Sequence, residues 1–118
     1  MLNPLLLLII MVTGLGFCAP VAQAAGPMTT ADLMVACYGD EGGPDRQFCL
    51  GYLLGMWDAL PSGDACVKPG TAVSAGMLRE MFLTGVGPLF PKTPAKDVPA
   101  GVAAWTVMHH YFPCSDQM

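Results

Sequence analysis

The chain has 118 residues, enough for one domain and no more. Its net charge of −4, with only five Lys and Arg, excludes the basic patch that binding to nucleic-acid phosphates demands. The apolar share of 53% would suit a membrane protein, but that figure is inflated by the first two dozen residues.

Residues 4–12 form an unbroken apolar run that extends to Phe17, followed by the small-x-small triplet Ala22-Gln23-Ala24. This is the layout of a secretory signal peptide over residues 1–24, cut between Ala24 and Ala25, with the N-terminal amine as its sole positive end. A retained anchor needs about 20 apolar residues, and Pro20, Gln23 and two glycines interrupt the run. A lipoprotein signal places its cysteine after a small residue, whereas Cys18 follows Phe17. Cleavage therefore yields a domain over residues 25–118 that has no membrane segment and keeps Cys37, Cys49, Cys66 and Cys114. An even cysteine set fits two disulfides in an oxidising compartment. A domain of about 90 residues has a modest core, which such bridges reinforce.

Thr30 is placed to cap a first helix over residues 31–37, with Asp32 in its first turn. Gly39 and residues 40–44 (Asp-Glu-Gly-Gly-Pro) form a turn, and Asp45 opens a second helix over residues 46–60 that Pro61-Ser62-Gly63 stops. From Phe48 to Leu60 the only charged residue is Asp58, so this helix reads as a buried central one. Gly51 and Gly55 lie one turn apart, where a neighbouring backbone is expected to approach closely. Asp58 opposes the helix dipole and requires a donor, such as Arg46, Arg79 or nearby amides. Ser74 caps a third helix whose Met77, Leu78, Met81 and Phe82 form an apolar stripe, with Arg79 and Glu80 facing out. Gly85, Gly87 and Pro88 are expected to end it, and residues 88–94 to run extended. A fourth helix is expected from Asp97 as cap, with Pro99 in its first turn. Val98, Val102, Trp105, His109 and Phe112 would be its inward stripe. Nothing alternates with a period of two. The fold class is all-α, a small four-helix domain stapled by two disulfides.

Four cysteines allow three connectivities. Cys37 ends the first helix and Cys49 lies in the first turn of the second, across a tight turn. Cys66 precedes the third helix and Cys114 follows the fourth. Antiparallel neighbours favour Cys37 with Cys49 and Cys66 with Cys114. No Cys-x-x-Cys pair points to zinc.

Catalytic patterns are missing from the sequence. There is no phosphate-cradling glycine loop, no His-Glu-x-x-His and no Gly-x-Ser-x-Gly. His109 and His110 point about 100° apart on a helix and cannot share a metal; they complement a helix C-terminus, with His109 half-buried. Met34, Met56, Met77, Met81 and Met108 fall at apolar helical positions, where methionine fills a core rather than binding copper. The expectation is a non-enzyme without metal or cofactor.

Cys37, the run Phe48-Cys49-Leu50-Gly51-Tyr52-Leu53-Leu54-Gly55-Met56-Trp57-Asp58-Ala59-Leu60, Cys66 and Phe112-Pro113-Cys114 together resemble the Rap/Tai family. These are periplasmic immunity proteins of type VI secretion amidase effectors. The strongest shared motif is Cys-x-Gly-Tyr-x-x-Gly-x-x-Asp, matched at Cys49, Gly51, Tyr52, Gly55 and Asp58, and the likeness spans residues 29–114. The resemblance implies a periplasmic helical protein, typically a homodimer, that binds a cell-wall amidase and blocks its cleft. It also implies that the motif marks the scaffold while variable loops meet the effector, so no partner-binding residue carries over. Two other functions suit a small exported helical domain. One is an HdeA-like acid-stress chaperone, disfavoured because five basic residues give little acid expansion; the other is a carrier of a small ligand or metal.

Overall fold

The computed structural model describes residues 27–114; the expected signal peptide and its cleavage point lie outside them. The order is α1 (Thr30–Cys37), α2 (Pro44–Ala59), α3 (Ala75–Leu89), a 3-10 turn (Ala95–Asp97) and α4 (Ala100–Tyr111). With no strand among the described residues, the domain is all-α.

The cap of α1 is Thr29 and not Thr30. Thr29 Oγ1 accepts from Asp32 N at 3.1 Å, while Thr29 N donates to Asp32 Oδ2 at 3.1 Å, a reciprocal capping box. Asp32 decides between the adjacent threonines, because it stands at the third helical position only when Thr29 is the cap. Thr30 is buried instead, and its amide and hydroxyl both donate to Val98 O at 2.8 Å. At the other end α1 has no basic residue of its own. Two distant arginines supply the charge: Arg79 Nε donates to Cys37 O at 2.7 Å and Arg46 Nε to Gly39 O at 2.9 Å. Arg79 is therefore partly buried against α1, contrary to the outward position that helical spacing assigned it.

α2 begins at Pro44, earlier than expected, because proline's fixed φ and missing N–H suit the first helical position. α3 keeps its expected cap, with Met77 N donating to Ser74 Oγ at 3.1 Å. It does not stop at Gly85 but runs on to Leu89. Pro88 lies in the last turn, where it forfeits a single backbone bond, and Gly85 serves packing. A Cβ on Gly85 would stand 3.0 Å from Tyr111 Cε2 and 3.5 Å from Val107 Cγ2, so the glycine brings α3 and α4 together.

α4 starts after Pro99, not after Asp97, which instead closes the 3-10 turn. Its first amide is satisfied by backbone just ahead of α1: Ala100 N donates to Met28 O at 3.0 Å. Its inward face also differs from the expected stripe. Ala100, Ala103, Ala104, Val107 and Met108 are buried, whereas Val102 is 51% and Trp105 42% exposed. Of the expected stripe only Val98 and Phe112, which flank the helix, are buried. Alanine-sized side chains win the inner face because α4 packs against α1, α2 and α3 together, and close backbones leave no room for indole.

Leu33, Leu53, Leu78, Phe82, Val107 and Met108 form the core around these helices. The expected disulfides are both present. Cys37 and Cys49 have Cα atoms 5.0 Å apart, and Cys66 and Cys114 4.8 Å apart. Their sequence separations of 12 and 48 give loop-entropy contributions of about 3 and about 4 kcal/mol.

Candidate interaction surface

α2 was expected to be wrapped on all sides, and it is not. Only Cys49 and Leu53 are buried. At about 100° per residue, Gln47, Gly51, Leu54, Gly55 and Asp58 share the opposite face, and all five are exposed. A Cβ built on Gly51 or Gly55 would meet nothing within 4 Å, so no neighbouring backbone uses the space they leave. Phe48, 48% exposed, stands at the edge of this face.

The residues of the Cys-x-Gly-Tyr-x-x-Gly-x-x-Asp pattern thus divide between core and surface. Cys49 points into the core, and the Tyr52 hydroxyl lies 3.6 Å from the Cβ position of Gly101 on α4. Gly51, Gly55 and Asp58 point to solvent. Asp58 forms no ion pair or side-chain hydrogen bond among the described residues. Both arginines expected to pair with it are engaged at the end of α1. An exposed carboxylate keeps its hydration, so burial no longer demands a donor.

A second exposed stripe lies on α4. Val102, Trp105 and His109 recur at i, i+3 and i+7. The Trp105 indole is held in place: Nε1 donates to Asp64 Oδ2 at 3.3 Å, and the His109 ring stacks on it at 5.1 Å between centroids. His109 is therefore exposed beside an indole and not half-buried in the core. Val35 on α1 and Tyr38, the residue that follows the helix, are exposed as well.

The concave features are small and open. One groove, about 330 Å³, runs between residues 66–71 and the end of α4; Cys66, Val67, Lys68 and Thr71 line one wall, Tyr111, Phe112 and Pro113 the other. A cleft of about 150 Å³ lies between α1 and the end of α3. Ligand pockets usually hold about 300–1,000 Å³ and enclose most of their ligand. Among the described residues no group of three His, Cys, Asp or Glu is placed to hold a metal ion. What the surface offers is fixed aromatic and apolar side chains on helices, the material of protein contacts.

Comparison of the chain with protein-family models, with curated proteins and with solved structures finds no match in any of the three. The Rap/Tai resemblance therefore gains no support from these comparisons. Among the described residues no helix is long and apolar enough to cross a membrane, and the two disulfides are compatible with an oxidising compartment outside the cytosol.

Proposed function

We propose that the chain is an exported binding protein that occludes the cleft of a peptidoglycan amidase. The observation that carries this reading is the open face of α2. Each interior glycine disfavours a helix by about 1 kcal/mol relative to alanine. Nothing among the described residues uses the room that Gly51 and Gly55 leave. A helix that keeps two such glycines on an exposed face is shaped for the close approach of another protein. Phe48 and Leu54 add apolar contact beside them, and Asp58 a charge that a basic partner group would neutralise. The amidase as partner comes from the Rap/Tai motif, and the periplasm as compartment from the signal segment. Inhibition by occlusion needs no catalytic group. In this reading the protein is a homodimer, with an exposed helix face left over for the effector.

The test is capture and protection. The mature domain, immobilised and exposed to periplasmic extract, should retain a peptidoglycan amidase and stop it from clearing cell-wall suspensions. Gly55→Trp should abolish capture while leaving the helical spectrum intact. Retention of no hydrolase, together with no protection of cells that express a cognate amidase in the periplasm, would end the proposal.

A further inference from the structure

The two disulfides occupy opposite surroundings. Cys37 and Cys49 are wholly enclosed, at 0% exposure, between α1 and α2. Cys66 and Cys114 are only half-buried, and Cys66 forms part of the wall of the 330 Å³ groove. Lys68 lines the same groove and makes no ion pair among the described residues. A disulfide sulfur beside an open groove can be reached by a thiolate, whereas an enclosed one is reached only when the core opens.

We propose that the Cys66–Cys114 bridge is an exchangeable disulfide, a site of S-thiolation for a small anionic thiol, and that the Cys37–Cys49 bridge is a permanent staple. This inference does not rest on the binding function above. The thiolate enters beside Lys68 and attacks Sγ of Cys66, the one cysteine of the bridge that lines the groove. A new S–S bond joins the thiol to Cys66 as the old one breaks, and its electron pair leaves on Cys114 Sγ. That thiolate then takes a proton from water. No oxidant is consumed, because one disulfide replaces another. Lys68 draws in the anion and offsets its charge on approach.

The exchange is positioned to be felt at the surface. Once the bridge opens, residues 61–66 remain tied to the end of α4 by lesser contacts, among them Cys66 N donating to Phe112 O at 2.9 Å. Trp57 packs on Phe112 with centroids 4.8 Å apart, and Trp105 holds Asp64. Both indoles of the chain therefore report on this loop, and one belongs to the exposed stripe of α4. The enclosed bridge and the helical core stay as they are.

The experiment uses the intact chain under native conditions, treated with reduced glutathione or with dithiothreitol, acid-quenched, alkylated and mapped by peptide mass. The expected first product carries one glutathione on Cys66 and an alkylated Cys114. The Cys37–Cys49 bridge should open at least about a hundredfold more slowly, at the rate of global opening. Tryptophan emission should shift with the first event while far-ultraviolet circular dichroism holds. Lys68→Glu, a surface change, should slow attack by glutathione, whose thiolate carries a net charge of about −2, about threefold or more, and should slow the singly charged dithiothreitol thiolate distinctly less. Equal rates at the two bridges, glutathione found on Cys114, or equal slowing of both thiols by Lys68→Glu would overturn the proposal.

Discussion

Replacing Gly51 and Gly55 together by alanine adds two methyl groups at points on α2 where nothing lies within 4 Å. Neither glycine has a positive φ, so alanine takes the same backbone without strain. Each substitution should then recover about 0.5–1 kcal/mol of helix propensity, with part of the gain coming from a less flexible unfolded chain. The pair should give about 1–2 kcal/mol, since the added methyls are too small to interfere with each other. For a domain of this size that is a rise in Tm of roughly 4–16 °C. Thermal unfolding followed by circular dichroism, with both disulfides intact and at two protein concentrations, measures it. The concentration series matters because a self-associating face would make Tm depend on it. A fall in Tm would mean that the space above the glycines is occupied in the free protein, and the open face would be refuted. The same double variant should bind the captured partner about tenfold more weakly, because the methyls hold the partner's backbone away. Stabilisation with unchanged binding would remove α2 from the interaction surface.

Three further outcomes follow from individual contacts. Gly39→Ala places a Cβ 2.8 Å from Asp45 Cβ and 3.1 Å from Ala36 O. It should destabilise by about 1–3 kcal/mol, read as a lower urea midpoint at constant m-value. Arg79→Leu leaves the Cys37 carbonyl at the end of α1 without its charged donor and should cost about 1.5–3 kcal/mol. Glu80→Ala removes only an exposed ion pair with Arg79 and should stay within about 0.5 kcal/mol; an equal loss from both variants would refute the capping role of Arg79. Phe82→Ala empties the centre of the core and should cost about 3–5 kcal/mol, enough to leave the disulfides as the main restraint on the chain.

Most elements and the Cys37–Cys49 bridge were legible because their signals are local, whereas Cys66–Cys114 followed from the antiparallel order of the helices it spans. The Ser74 cap, the stop at Pro61 and the tight turn between Cys37 and Cys49 each depend on residues close in sequence. The faces of the helices were less legible, since a face is decided by what packs across from it. On α4 two patterns compete at helical spacing: Val98, Val102, Trp105, His109 and Phe112 against Ala100, Ala103, Ala104 and Val107. Hydrophobicity alone favours the bulky set. Close packing favours the small one, and packing prevailed because three helices converge on α4. Arg79 was misread for a similar reason: its acceptor, Cys37 O, is 42 residues away in sequence and carries no side-chain signal. The open face of α2 was hidden because Asp58 is its one charged residue, and a glycine or leucine left exposed looks like one packed in a core in a single sequence.

Tyr52 gives that ambiguity a physical resolution. It belongs to the α2 motif, its ring centroid lies 6.1 Å from that of the exposed Phe48, and its hydroxyl lies 3.6 Å from where a Cβ on Gly101 would stand, one residue before exposed Val102. The edge of the α2 face and the start of the α4 stripe are therefore neighbours through one side chain that lies over a glycine. Gly101→Val would push Tyr52 off α4 and should weaken partner binding even though position 101 lies outside the α2 motif. Tyr52→Phe keeps the ring and its packing, so it should bind like the parent. If Gly101→Val binds normally while folding normally, the two helices present separate surfaces, and only the α2 face is left to meet a partner.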